Sequence, residues 1–308
     1  MDNGAEVRGF LTSRRERLTP DVAGITLYGG RRRVKGLRRE EVAMLAGVST
    51  DYYTRLERGN LAGVSEAVLE ALARALQLDE AERAHLFDLA AAANASARRS
   101  SSAQNRAISR QRGVRPGVQR ILDSLTVPAY ARNTRGDVLA ANQLARALFS
   151  EAYGQEAAGF NMARYLFLDQ RSRSFYVDWE VVARDMVAAL RIEAGRNPRD
   201  RGLSDLVGEL STRSQEFATL WSAHNVKIHA TATKTMRHSV VGELELTGEA
   251  LALPGDPGLI LIIYTVEPNS ASADALGFLA SWSAHQAGPA NEEHQPQQDP
   301  AGRTGPDS

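Results

Sequence analysis

The feature that most constrains this chain is the run Leu37-Arg38-Arg39-Glu40-Glu41-Val42-Ala43-Met44-Leu45-Ala46-Gly47-Val48-Ser49-Thr50-Asp51-Tyr52-Tyr53-Thr54-Arg55-Leu56-Glu57-Arg58-Gly59. It reads as two short helices joined by a three- or four-residue turn. Val42 and Leu45 are expected to face inward from the first helix, and Ala43 is small where the second helix crosses it. Gly47 supplies the positive φ that lets the chain leave the first helix sharply. Val48 plugs the turn, Ser49 caps the second helix, Tyr53 and Leu56 bury its inner face, and Gly59 ends it. A generic helix pair with a glycine turn is the alternative. Against it stands the register, in which small residue, glycine, β-branched plug and cap all fall in place.

Flanking segments extend the helical pattern. Val7 to Leu18 reads as a helix ending before Pro20. Ser65 caps another that carries Val68, Leu69, Leu72, Ala73 and Leu76 on one face, and Asp79 caps a third with Leu86, Phe87 and Leu89. From about Phe10 to Leu89 the chain resembles the helix-turn-helix of the XRE (phage-repressor-type) family. That resemblance implies an all-α, lambda-repressor-like domain whose helix from Ser49 to Arg58 enters the major groove of double-stranded DNA. The positions matching base-reading sites are Thr50, Asp51 and Arg55. Arginine suits bidentate contact with guanine, and aspartate can accept from a cytosine amino group. Arg39 matches a phosphate-contacting position, Arg38 beside it is a further phosphate candidate, Tyr52 and Thr54 flank the readers and could donate to phosphate oxygens, and Arg31, Arg32, Arg33 and Lys35 would add salt-sensitive affinity without sequence preference. Asp51 could instead only stabilise the helix N-terminus, and Arg55 could only pair with an acidic neighbour.

Charge points the same way. The 308 residues carry 37 basic and 37 acidic side chains, yet residues 1–115 hold 20 of the former and 14 of the latter, leaving the opposite excess in the remainder. Such asymmetry suggests that one half meets a polyanion. With no cysteine, a disulfide scaffold, a thiolate zinc site, an iron–sulfur cluster and a cysteine nucleophile are excluded. The longest charge-free apolar stretch, Gly258 to Val266, is about half what a membrane span needs. No signal-like apolar segment opens the chain, so a cytoplasmic protein is expected. Ser/Arg/Gln-rich residues 95–113 read as a linker and proline-dotted residues 285–308 as a disordered tail. These bound a DNA-binding domain over 1–94 and a second domain over 114–284.

The second domain alternates. Val118 to Leu125 suggests a short helix; Pro128–Arg132 and Val138–Ala141 suggest a hairpin around Asn133-Thr134-Arg135-Gly136-Asp137. Helices are expected over Asn142–Phe149, Trp179–Ala194, from Ser214, and Ser272–Ser283. Strands are expected over Val226–Thr235, Val240–Thr247 and Leu259–Val266. This is an α+β arrangement with one sheet face covered by helices. Through Val114-Arg115-Pro116-Gly117-Val118, Tyr176-Val177-Asp178-Trp179-Glu180, Leu206-Val207-Gly208-Glu209-Leu210, Leu220-Trp221-Ser222-Ala223-His224 and Tyr264-Thr265-Val266-Glu267-Pro268 it resembles the PAS-like ligand-binding domain of MmyB-like transcription regulators. Ala141 and Ser239 depart from that family's usual Trp and Pro. The resemblance implies an apolar cavity between sheet and helices for a small apolar effector such as a fatty acid. Leu139, Phe149, Leu166, Phe167, Leu220, Trp221 and Tyr264 are candidate walls, and Asn142, Arg164 and His224 candidate polar anchors. Aromatics at such spacing also serve as ordinary core.

No catalytic residue, cofactor or metal site is expected. His224, His229 and His238 lack metal-ligand spacing, and neither G-x-S-x-G nor a phosphate loop occurs. The resulting expectation is a multidomain, non-enzymatic, DNA-binding transcriptional regulator, dimeric on a palindromic operator because one helix pair reads only a half-site. The alternatives are a second domain that serves only dimerisation, or a metal sensor.

Overall fold

The computed structural model describes residues 2–25, 34, 36–97, 113–153, 160–226 and 231–287. Arg31, Arg32, Arg33, Lys35 and His229, most of the expected linker and all but the first residues of the expected tail lie outside them.

Among the described residues, five helices form the N-terminal module. In α1 (Asn3–Arg17) the Asp2 carboxylate accepts from the Gly4 amide at 3.0 Å, and Val7, Phe10 and Leu11 are buried. Next come α2 (Arg39–Leu45) and α3 (Thr50–Glu57), joined by a turn in which Gly47 adopts φ 66° and the Val48 amide returns to the Ala43 carbonyl at 2.9 Å. The Ser49 hydroxyl accepts from the Tyr52 amide at 3.1 Å, the expected cap. Ser65 caps α4 (Glu66–Ala75), and α5 (Glu80–Ala97) begins where Asp79 and Glu82 accept from each other's amides at 2.8 and 3.1 Å. Tyr53 and Leu56 are fully buried with Val42, Leu72, Leu86 and Leu89. Leu45 departs from expectation: it is 38% exposed, because the inner stripe of this short helix runs through Val42, Ala43 and Ala46.

The C-terminal domain opens with α6 (Pro116–Ser124) and a hairpin, β1 (Ala129–Asn133) and β2 (Val138–Ala141). Seven helices follow: α7 (Gln143–Leu148), α8 (Ser150–Tyr153), α9 (Met162–Leu168), α10 (Arg171–Phe175), α11 (Trp179–Arg196), α12 (Arg201–Arg213) and α13 (Gln215–Ser222). Strands β3 (Thr231–His238), β4 (Gly242–Ala252) and β5 (Leu259–Thr265) then complete an antiparallel sheet of order β2-β1-β5-β4-β3, and α14 (Ala271–Ala287) packs on α7 and β4. The helices between β2 and β3 cover one face over Tyr130, Leu244, Leu246 and Tyr264. The other face is covered too, which the sequence reading did not anticipate: α6 lays Val118 and Leu122 on Ala129, Ala131, Ala140 and Leu261. Strand β1 is therefore buried on both sides, and its alternating alanines let α6 approach.

Helices α8, α9, α10 and α12 were not expected. The first three are short, and their apolar residues do not repeat over enough turns to signal a helix. In α12, Leu203, Leu206, Val207 and Leu210 do form a stripe, and all are buried. The two domains meet along α5 and α11, and Ile192 of α11 and Val226 after α13 belong to the apolar core of the N-terminal module.

Candidate nucleic-acid interface and effector core

On α3 every buried side chain points one way and every candidate reader the other. Tyr53, Leu56 and Glu57 are buried, whereas Thr50, Asp51 and Arg55 are exposed, and Tyr52 and Thr54 are half-buried between them. Arg55 is exposed, its guanidinium lying over the Tyr52 ring 4.8 Å from the centroid, and among the described residues no ion pair to a carboxylate holds it. Arg38 and Arg39 open α2 beside this surface and are both exposed.

Glu57, which the sequence reading passed over, orients this helix. Its carboxylate is 2% exposed; Arg15 of α1 donates to it at 2.6 Å through Nε, and Arg39 donates to the other oxygen. Arg15 also donates to the Leu37 carbonyl at 3.0 Å. One carboxylate thus ties together α1, α2 and α3. Arg39 is held by protein at one side of its guanidinium while the rest reaches solvent, an arrangement suited to a phosphate. No local signal could have revealed Glu57, since its partners stand far away in the chain.

The effector-domain candidates divide. Phe149 and Tyr264 join Tyr130, Phe160 and Phe175 in one aromatic group, with ring centroids 5.6–6.3 Å apart. Phe167 belongs with Trp179, Phe217 and Trp221 in a second, and Leu166 is buried in the same core. Leu220 and Trp221 pack against it from α13 while remaining partly exposed. Leu139 is half-buried outside that core. Burial raises the phenol pKa values of Tyr264 and Tyr176 well above the ordinary range.

The three expected anchors lie elsewhere. Asn142 is buried, but its amide oxygen accepts from the Ala129 and Ala145 amides and its nitrogen donates to the Leu125 and Val127 carbonyls, so it is a cap for α7 with no capacity left. Arg164 is half-exposed, paired with Glu209 at 2.8 Å, and lines a polar cleft of about 320 Å³ with Arg135, Asp137 and Asn161. His224 lies between the domains, against Glu6 and Arg191. His238 has both ring nitrogens engaged, with the Ala147 carbonyl and the Val240 amide. Lys234 of β3 escaped the sequence reading. Lys234 shares the inward alternation of β3 with buried Met236 and His238, stands opposite Leu246, and has its pKa lowered by burial despite Asp185 nearby.

An outward-facing reading helix fused to a sheet domain with an aromatic core defines a class: a two-domain DNA-binding transcription regulator with a ligand-binding domain. Residues 6–86 match the Helix-turn-helix domain family, and residues 114–279 match the MmyB-like transcription regulator ligand binding domain. The chain belongs to that MmyB-like regulator family. Both matched families are regulatory. Among curated proteins the chain has no match. Among the described residues no helix is long and apolar enough to cross a membrane, and no group of His, Asp or Glu is placed to hold a metal.

Proposed function

We propose that the chain is a cytoplasmic, homodimeric, sequence-specific regulator that reads a palindromic operator and responds to a fatty acid held in its C-terminal domain. In this reading residues 1–94 bind DNA, 95–113 connect, 114–284 bind the effector and 285–308 form a tail, with α5 and α14 carrying helix a few residues past those bounds. The observation that carries it is the two-sidedness of α3, with Thr50, Asp51 and Arg55 exposed above buried Tyr53, Leu56 and Glu57. Thr50, Asp51 and Arg55 read bases; Arg38, Arg39, Tyr52 and Thr54 position the helix on phosphates, joined by the basic residues at 31–33 and 35. A dimer presents two such heads, one per half-site.

For the effector, the aromatic core of Phe149, Phe167, Trp221 and Tyr264 suits an acyl chain, and the five-stranded antiparallel sheet supports a PAS-like domain. The carboxylate of such a ligand would find its partner in Lys234 rather than in Asn142, Arg164 or His224. No catalytic step, metal or cofactor is part of this reading. Selection from random duplexes should return a two-fold symmetric site. Dodecanoic acid should raise the melting temperature of the wild type, and Lys234→Met should abolish the rise. If dodecanoate leaves the melting temperature unchanged, the domain serves dimerisation alone.

A further inference from the structure

Arg191, in the middle of α11, is fully buried and carries the contact between the domains. It donates to the Glu6 carboxylate of α1 and to the Trp221 carbonyl at the end of α13, and its guanidinium lies 4.1 Å from the centroid of the Trp221 ring. His224, which ends α13 at φ 51°, places Nδ1 2.9 Å from Arg191 and 3.4 Å from Glu6. Arg14 of α1 donates to the His224 carbonyl and, at 3.5 Å, to Asn225, while pairing with Glu82 at 3.1 Å.

Two helical glycines explain how the helices come so close. The His224 ring lies directly against Gly9 of α1, where a Cβ would fall inside it. Reciprocally, His85 of α5 lies against Gly195 of α11, where a Cβ would stand 2.6 Å from the ring. Glycine weakens a helix interior relative to alanine, so its presence at both points is accounted for by a histidine from the other domain.

We infer that this joint couples the effector core to the reading helix, and that effector occupancy and the docked arrangement exclude one another. The inference rests on the effector reading above. Three observations lead to it. The aromatic core between sheet and helices packs ring against ring, with centroids 5.0–6.1 Å apart, so an acyl chain must displace something. One wall, α13, buries only Phe217 and leaves Leu220 and Trp221 partly exposed; its Trp221 stacks on Phe217 at 5.6 Å and lies under Arg191. Moving α13 withdraws the Trp221 carbonyl from Arg191 and the His224 carbonyl and Asn225 from Arg14, leaving these two guanidiniums with Glu6 and Glu82. Finally, Arg14 and Arg15 are adjacent in α1, one holding the effector domain and the other holding Glu57 of the reading helix. Loosening the Arg14 contact therefore acts on α1 and α3 as one unit, changing how two heads on a dimer are spaced. Linkage is reciprocal: if the ligand undocks the domains, undocking strengthens the ligand.

Gly9→Ala in the full chain tests both halves, because alanine favours the α1 helix while clashing with His224. The chain has no native cysteine, so spin labels at Glu66→Cys and Glu243→Cys, both exposed, report one interdomain distance. The wild type should give a single narrow distribution and Gly9→Ala a broad one. His224→Gly, which removes the ring and suits the positive φ, should restore a narrow distribution in the Gly9→Ala background. Gly9→Ala should also bind dodecanoate at least about fivefold more tightly than wild type. A narrow, unshifted distribution in Gly9→Ala overturns the joint. Equal dodecanoate affinity in the two proteins overturns the coupling alone, and no binding by either overturns the effector reading together with the coupling.

Discussion

Two buried carboxylates, Glu57 and Glu6, perform the same physical task in different places. Each is taken from water and compensated by arginine: Glu57 by Arg15 and Arg39, Glu6 by Arg191 with His224 alongside. Glu57 joins three helices of one module and so determines the shape of the DNA-reading surface. Glu6 joins two domains and so determines where that surface points. The difference lies in what else holds the partners together. Around Glu57 the helices share a continuous apolar core, whereas around Glu6 the domains meet through Ile192, Val226 and polar contacts that include Arg191, His224 and the Arg196–Asp88 pair at 2.8 Å. An ion pair inside a core contributes to a fold already specified, while one at a joint can be opened without unfolding either side.

Four measurements bear on this contrast, in descending order of effect. Glu57→Ala leaves buried Arg15 with the exposed Glu16 at 3.5 Å in place of its buried partner; the loss should be about 3 kcal/mol, read as a large fall in the melting temperature of the N-terminal module and loss of DNA binding. A variant that melts normally would show the clasp to be dispensable.

Acid should act on the joint. Burial, reinforced by Arg191 and Arg14 and opposed by Glu6, holds His85 down to about 4 from 6.5. Burial alone would raise Glu6, but His224 and Arg191 bring it down to about 2 from 4.5. Both folded values are depressed, so both groups contribute fully above their unfolded values. His85 loses its contribution as pH falls from 6.5 towards 4, and Glu6 as it falls from 4.5 towards 2. Each contribution is of order 3 kcal/mol. The interdomain spin-label distribution should broaden on acidification from neutral pH. In His85→Gln the broadening should begin only below 4.5, and an unaltered profile in that variant would remove His85 from the account.

The remaining two act on DNA alone. Arg55→Ala should cost about 1–3 kcal/mol at one base position, measured by competition between operator variants, and should leave the joint intact. Replacing Arg31, Arg32 and Arg33 together with alanine should weaken all sequences alike and flatten the dependence on salt, the slope changing by about 0.9 for each phosphate that is no longer neutralised. A change in sequence preference would reverse the division between readers and positioners.

How much of this was legible beforehand follows from the range of each interaction. Gly47 and Ser49 act on amides within a few residues, and the hairpin around Gly136 turns on a local signal, so these could be read directly. Leu45 was misplaced because a seven-residue helix contains too little of a stripe to orient it. Arg164 and His224 were sound guesses by residue type, but Glu209 and Glu6 had already taken them, and those partners are remote in the chain. Lys234 carried no signal at all, since a lysine in a strand ordinarily faces water. Nothing in the sequence marks Gly9 and Gly195, because the histidines packed against them come from the other domain.

Local chemistry in the chain thus determined the helix pair, its cap, the outward placement of Thr50, Asp51 and Arg55 and the sheet's hairpin, because hydrogen bonds between near neighbours and the alternation of apolar residues settle those without outside help. Only the tertiary structure decided which charges are spent internally and which remain for a partner. Whether an arginine meets a carboxylate depends on two helices arriving at one point, and the order of residues does not encode that meeting in any one place.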